Sequence, residues 1–108
     1  MLSSLFLIAA ASEIIATPLN EASRAEEPEV IAQLERVLQA KAGCTFRARE
    51  RVSLVFVLRF AKSGAVSHIE PSYVPEAARA CLEERARKLQ LSAVASERGY
   101  AVNATLDP

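Results

Sequence analysis

The stretch RVSLVFVLRFAKSGAVSHIE, residues 51–70, decides the fold. Across Arg51–Ala61, Val52, Leu54, Phe56, Leu58 and Phe60 fall at every second position. A period of two puts all five on one face of a strand. Arg51, Ser53, Val55, Val57 and Arg59 share the other face, which is mixed and suited to partial wetting. Lys62-Ser63-Gly64 follows as a turn, with Gly64 free to take a positive φ. Residues 65–70 return as a shorter strand, so the stretch predicts an antiparallel hairpin with one strongly apolar face.

Helices are expected on both sides of this hairpin. Over residues 30–42, Val30, Ile31, Leu34, Val37 and Leu38 repeat at helical spacing. Pro28 and Glu29 suit the start of that helix, and Gly43 suits its stop. Pro71–Pro75 is expected to end the second strand, and Pro75 to open a second helix running to about Gln90. Ala77, Ala78, Cys81, Leu82, Ala86 and Leu89 form its apolar stripe. Tyr100, Val102, Ala104 and Leu106 then alternate in a closing strand. The order predicted is α-β-β-α-β: an α+β domain with a three-stranded antiparallel sheet and two helices packed on one face.

The chain has 108 residues, which suits one small domain with a limited core. Thirteen basic and thirteen acidic side chains cancel, which argues against nucleic acid and against strong attraction to anionic lipid. Trp is absent and aromatics are few, so no stacking platform for single strands is expected.

The opening MLSSLFLIAAASEIIA has a short apolar run, Leu5–Ala11, followed by small residues. Ala9-Ala10-Ala11 fits a secretory cleavage pattern, with Ala16 a second candidate, although no Lys or Arg precedes the run. Residues 1–16 therefore read as a signal peptide, with a packed amphipathic helix or a membrane anchor as alternatives. Residues 17–29, with Pro18 and Pro28, read as a polar tether, and residues 30–108 as the domain. A signal peptide implies a periplasmic or secreted protein without a stable membrane span. In that setting Cys44 and Cys81 are expected to be linked, since both helices covering one sheet face would bring them near each other. The alternative is two thiols buried as small apolar groups.

No catalytic, cofactor-binding or metal-ligating set emerges. His68 is the lone histidine, expected half-exposed on a strand without an orienting partner. Glu70 and Glu76 read as solvated acids. Two cysteines and one histidine supply too few ligands for a metal site. Arg47, Arg49, Arg51 and Arg59 read as a solvated basic edge, or else as a surface for an acidic partner. Asn103-Ala104-Thr105 matches a glycosylation sequon, a weak signal by itself.

Residues 51–66, with their alternating strand and Gly64-Ala65-Val66 turn, resemble the hairpin of the TonB and TolA C-terminal domains. Ala77–Leu82 resembles the alanine-rich start of their next helix, and Tyr100–Leu106 their final strand. The placement of Cys44 and Cys81 is similar to that in a TonB-like subgroup. The resemblance covers about residues 30–108. It implies a non-enzymatic periplasmic module that binds another envelope protein. The membrane anchor and long spacer that energy transduction requires have no counterpart in this sequence, so that activity is not carried over. In the family, binding often uses a free sheet edge. Tyr100, Val102, Ala104 and Leu106 are the edge strand expected here. The alternatives are a small secreted enzyme or inhibitor with an unrecognised site, or an orphan structural domain.

Overall fold

The structure is a computed structural model and describes residues 13–39 and 52–106. Among these residues the element order is β1 (Glu13–Pro18), α1 (Glu21–Arg24), α2 (Glu27–Gln39), β2 (Val52–Phe60), β3 (Val66–Tyr73), α3 (Glu76–Ala86) and β4 (Arg98–Leu106). The α+β class and the antiparallel sheet agree with the sequence reading. The sheet has four strands among the described residues, however, in the spatial order β1-β4-β2-β3.

The fourth strand is β1, which the sequence reading divided between a signal peptide and a tether. Ile14 and Ala16 alternate inward with Glu13, Ile15 and Thr17 outward. This short alternation was hidden by the apolar run before it and the polar residues after it. All six residues pair with β4, from Glu13 opposite Thr105 to Pro18 opposite Tyr100, without a shift in register. The remainder of the expected tether is also structured. Asn20 caps α1, its side chain accepting from the Ser23 amide at 2.9 Å, and α2 starts at Glu27.

The hairpin lies where residues 51–70 put it, with β2 and β3 antiparallel. Gly64 has φ +95°, and a Cβ there would sit 2.0 Å from the Leu91 carbonyl oxygen, so the turn requires glycine. The Leu91 amide donates to the Gly64 carbonyl, and the Val94 amide to that of Lys62, each at 2.9 Å. The Gln33 side chain on α2 both donates to and accepts from the Gln90 backbone, at 2.9 and 3.0 Å. Residues 90–94 are thereby tied to both the turn and α2.

Several boundaries differ from expectation, among them the start of α2 at Glu27 and of β4 at Arg98. Pro71 does not end β3, which continues to Tyr73. Proline is tolerated because β3 is an edge strand, and the β2–β3 register shifts beside it. Helix α3 ends at Ala86, not near Gln90, with Arg87 as its cap.

The inner sheet face carries Leu54, Phe56, Leu58 and Phe60 from β2, Tyr100, Val102, Ala104 and Leu106 from β4, Ile14 and Ala16 from β1, and Ile69 from β3. Val30, Leu34 and Leu38 of α2 and Ala78, Leu82 and Ala86 of α3 join them in one core. Of the stripe expected on the second helix, Ala78, Leu82 and Ala86 are buried on α3, Cys81 is half-buried, Ala77 is exposed, and Leu89 is buried beyond the helix end. Buried Arg85 on α3 donates to the Val37 carbonyl at 2.9 Å, linking the two longer helices.

Candidate functional site

Strand β4, expected to be a free edge, is an interior strand. It pairs with β1 on one side and with nine residues of β2 on the other. Tyr100, Val102, Ala104 and Leu106 are core residues, and Tyr100 and Ala104 have no solvent exposure. The expectation fails because β1, unseen in the sequence, occupies the position beside β4. The free edges among the described strands are β1 and β3.

These two edges differ in what they offer a further strand. β3 carries Pro71 and two register shifts, which break a continuous ladder. β1 is regular along its length. Beyond β1, the Leu19 amide donates to the Gly99 carbonyl opposite it, at 2.9 Å. Counting back along an antiparallel ladder, Thr17, Ile15 and Glu13 point their amides at β4, and Pro18, Ala16 and Ile14 point theirs away. Pro18 thus falls where the missing N–H costs no ladder bond. Ile14 and Ala16 turn their backbone groups outward from the sheet while burying their side chains. Between them Ile15 stands half-exposed on the open sheet face, at 51%. Across that face the register places Ile15 beside Asn103, Asn103 beside Val55 and Val55 beside Tyr73, which is 66% exposed.

A buried polar hub holds the base of β1 and β4. Arg98 opens β4 with a side chain fully removed from solvent. It donates to the Glu26 carboxylate at 2.5 Å, to the Ser92 carbonyl at 2.8 Å and to the Ala61 carbonyl at 3.0 Å, while its Nε has no partner among the described residues. Ser23 is equally buried, its hydroxyl donating to the Asn20 side chain and accepting from the Gly99 amide at 2.8 Å. The Tyr100 hydroxyl donates to the Ser23 carbonyl at 2.7 Å. Burial, reinforced by the nearby Glu26 charge, pushes the Tyr100 phenol up to about 12, against the opposing pull of Arg98 and the Ser23 side chain. Asn20, Ser23, Glu26 and Arg98 were not singled out from sequence. Asn20 three residues before Ser23 is a capping signal that was available, whereas nothing in the sequence marks Arg98 as buried.

Beside the hub, Ala22, Ala25, Val94, Ala95 and Glu26 line an open trough of about 430 Å³. Its one carboxylate, Glu26, is already engaged by Arg98. His68 is exposed, 3.6 Å from the Glu70 carboxylate, at the outer side of β3. Glu76 is exposed at the start of α3 and Arg59 on the open sheet face. The register sets Arg59 directly opposite His68, so Arg59, His68 and Glu70 share the open sheet face, whereas Glu76 lies on α3. Cys81 is half-buried on α3, and among the described residues no cysteine is free. Cys44, Arg47, Arg49 and Arg51 lie outside the described residues. No group of three or more His, Cys, Asp or Glu that could hold a metal ion occurs among the described residues. No helix among them is long and apolar enough to cross a membrane. The chain matches no family model, no curated protein and no solved structure.

Proposed function

We propose that this chain is a non-enzymatic interaction module of the bacterial envelope, of the kind its resemblance to the TonB and TolA C-terminal domains implies. It binds an extended segment of another envelope protein along β1. The observation that carries this reading is the contrast between the two sheet edges among the described strands. β1 offers regular outward amides and carbonyls at Ile14 and Ala16, whereas β3 is interrupted at Pro71. An added strand pairs with backbone groups turned outward at an edge, and side chains at alternate positions give selectivity. Ile15 offers the partner an apolar contact on the open face.

The export half of the reading is supported by the apolar start of the sequence and its small residues. It is also supported by Cys81 not being a free thiol in a chain with two cysteines, the other being Cys44. We take the two as a disulfide pair. The alternative of a small enzyme is less well served, because the trough holds one carboxylate and that carboxylate is committed to Arg98.

The test is amide hydrogen exchange on the isolated protein and on complexes recovered from envelope extracts. Complex formation is expected to slow exchange at Ile14 and Ala16, with little change at Ile15 and Thr17, whose amides already face β4. Slowed exchange confined to β3, or none in either edge, rejects the β1 docking mode.

A further inference from the structure

We propose that the segment docking on β1 is basic: an extended strand that sets an apolar side chain against Ile15 and a Lys or Arg against Glu13. This rests on the β1 reading above and deepens it by naming the side chains the partner carries. The strand pairs among the described residues are antiparallel, and an added antiparallel strand continues that pattern. With the Ile14 and Ala16 amides turned outward, these two residues make the hydrogen-bonded pairs with the partner. Glu13, Ile15 and Thr17 then stand at the non-hydrogen-bonded positions, where facing side chains come closest. Pro18 has no amide to give at the next outward position, which ends the ladder at Ala16.

The helix layer adds to the charge. α2 packs over β1 and α3 over β3, side by side across the sheet. On α2, Val30, Leu34 and Leu38 point into the core. Gln33 and Val37 lie on the α3 side, where Gln33 bonds the Gln90 backbone and the Val37 carbonyl accepts from Arg85. Helical spacing puts Glu27, Ile31 and Glu35 in a row on the other side, above the β1 edge. Ile31 is partly buried against the core, and Glu35 is exposed. Glu13 is exposed on the open face of the sheet. Glu13, Glu27 and Glu35 form no ion pair among the described residues. β1 has no basic side chain, and the one base of α2, Arg36, is exposed on the side of the helix away from the sheet. An added strand thus meets an isoleucine on each face, Ile15 and Ile31, within an acidic border. A basic strand with apolar residues at its centre complements both, whereas an acidic strand meets like charge.

The experiment titrates the isotope-labelled full chain, at low salt, with acetyl-Thr-Val-Ile-Thr-Lys-amide and with the same peptide ending in Gln or Glu. The five peptide residues are set to face Thr17, Ala16, Ile15, Ile14 and Glu13 in turn. Affinity is read from amide shifts, and docking from slowed exchange at Ile14 and Ala16. The Lys peptide is expected to bind about fivefold more tightly than the Glu peptide, with Gln between them, and the gap to shrink as salt rises. Glu13→Lys, at an exposed position, is expected to abolish the preference. Docking at β1 with equal affinity for the Lys and Glu peptides overturns the basic partner while leaving β1 docking standing, and so does a preference that Glu13→Lys leaves unchanged. Binding by none of the peptides, or binding without slowed exchange at Ile14 and Ala16, overturns the docking mode and the basic partner with it.

Discussion

The hydroxyl of Tyr100, at the centre of the sheet, donates to the main-chain carbonyl of Ser23, in the short helix that follows β1. The same ring meets Phe60 edge-on, with centroids 6.1 Å apart. Tyr100 therefore joins the core to the polar hub. Tyr100→Phe removes one buried hydrogen bond and leaves the Ser23 carbonyl without this donor. The expected loss is about 1–2 kcal/mol in denaturant unfolding, with the fold retained.

The raised phenol also gives a pH signature. Its folded value is about 12 against 10 when unfolded, so between those values the folded chain holds the proton and the unfolded chain loses it. Stability from this group is complete below pH 10 and is lost as pH rises towards 12, by about 2–3 kcal/mol in all. Unfolding curves across that window should show the decline in wild type and a shallower one in Tyr100→Phe.

Glu26→Ala tests the ion pair. It leaves the buried Arg98 guanidinium with carbonyl acceptors but no counter-charge. Removing one partner of such a pair costs about 3–5 kcal/mol, and the partial exposure of Glu26 places the expectation at the lower end. Replacing both partners, as Glu26→Ala with Arg98→Met, should cost less than the sum of the two single changes, and a double-mutant cycle measures the difference.

Gly64→Ala should destabilise by about 2–3 kcal/mol, from positive-φ strain and the collision with the Leu91 carbonyl. Hydrogen exchange should then show faster opening in residues 90–94, whose amides hold this turn.

Reduction offers a test of the proposed Cys44–Cys81 link. It would close a loop that costs the unfolded chain about 4 kcal/mol of entropy. Thermal unfolding with and without reductant should differ accordingly. Equal stability in both, together with two alkylatable thiols, would count against the link.

The hairpin was legible because Val52–Phe60 alternates over nine residues, long enough for a period of two to stand out. The stripe through Val30, Leu34 and Leu38 was legible for the same reason at helical spacing. β1 was not, since EIIATP is six residues long and continues an apolar run that suggests targeting. Missing it made β4 look like an edge and hid the edge that β1 forms among the described strands. The hub was illegible for another cause. Arg98 looks like any surface arginine, and its burial follows from Glu26, Ala61 and Ser92 converging from distant parts of the chain.

The pairing of β1 with β4 also bears on when the molecule can acquire its structure. Ile14 finds its place only opposite Ala104, so one of the first strands made must wait for one of the last. Such a distant closure is entropically costly and slow compared with the local β2–β3 hairpin. A nascent chain emerging from the ribosome can therefore form the hairpin early but cannot seal the sheet. The sheet closes only once Arg98–Leu106 has been made.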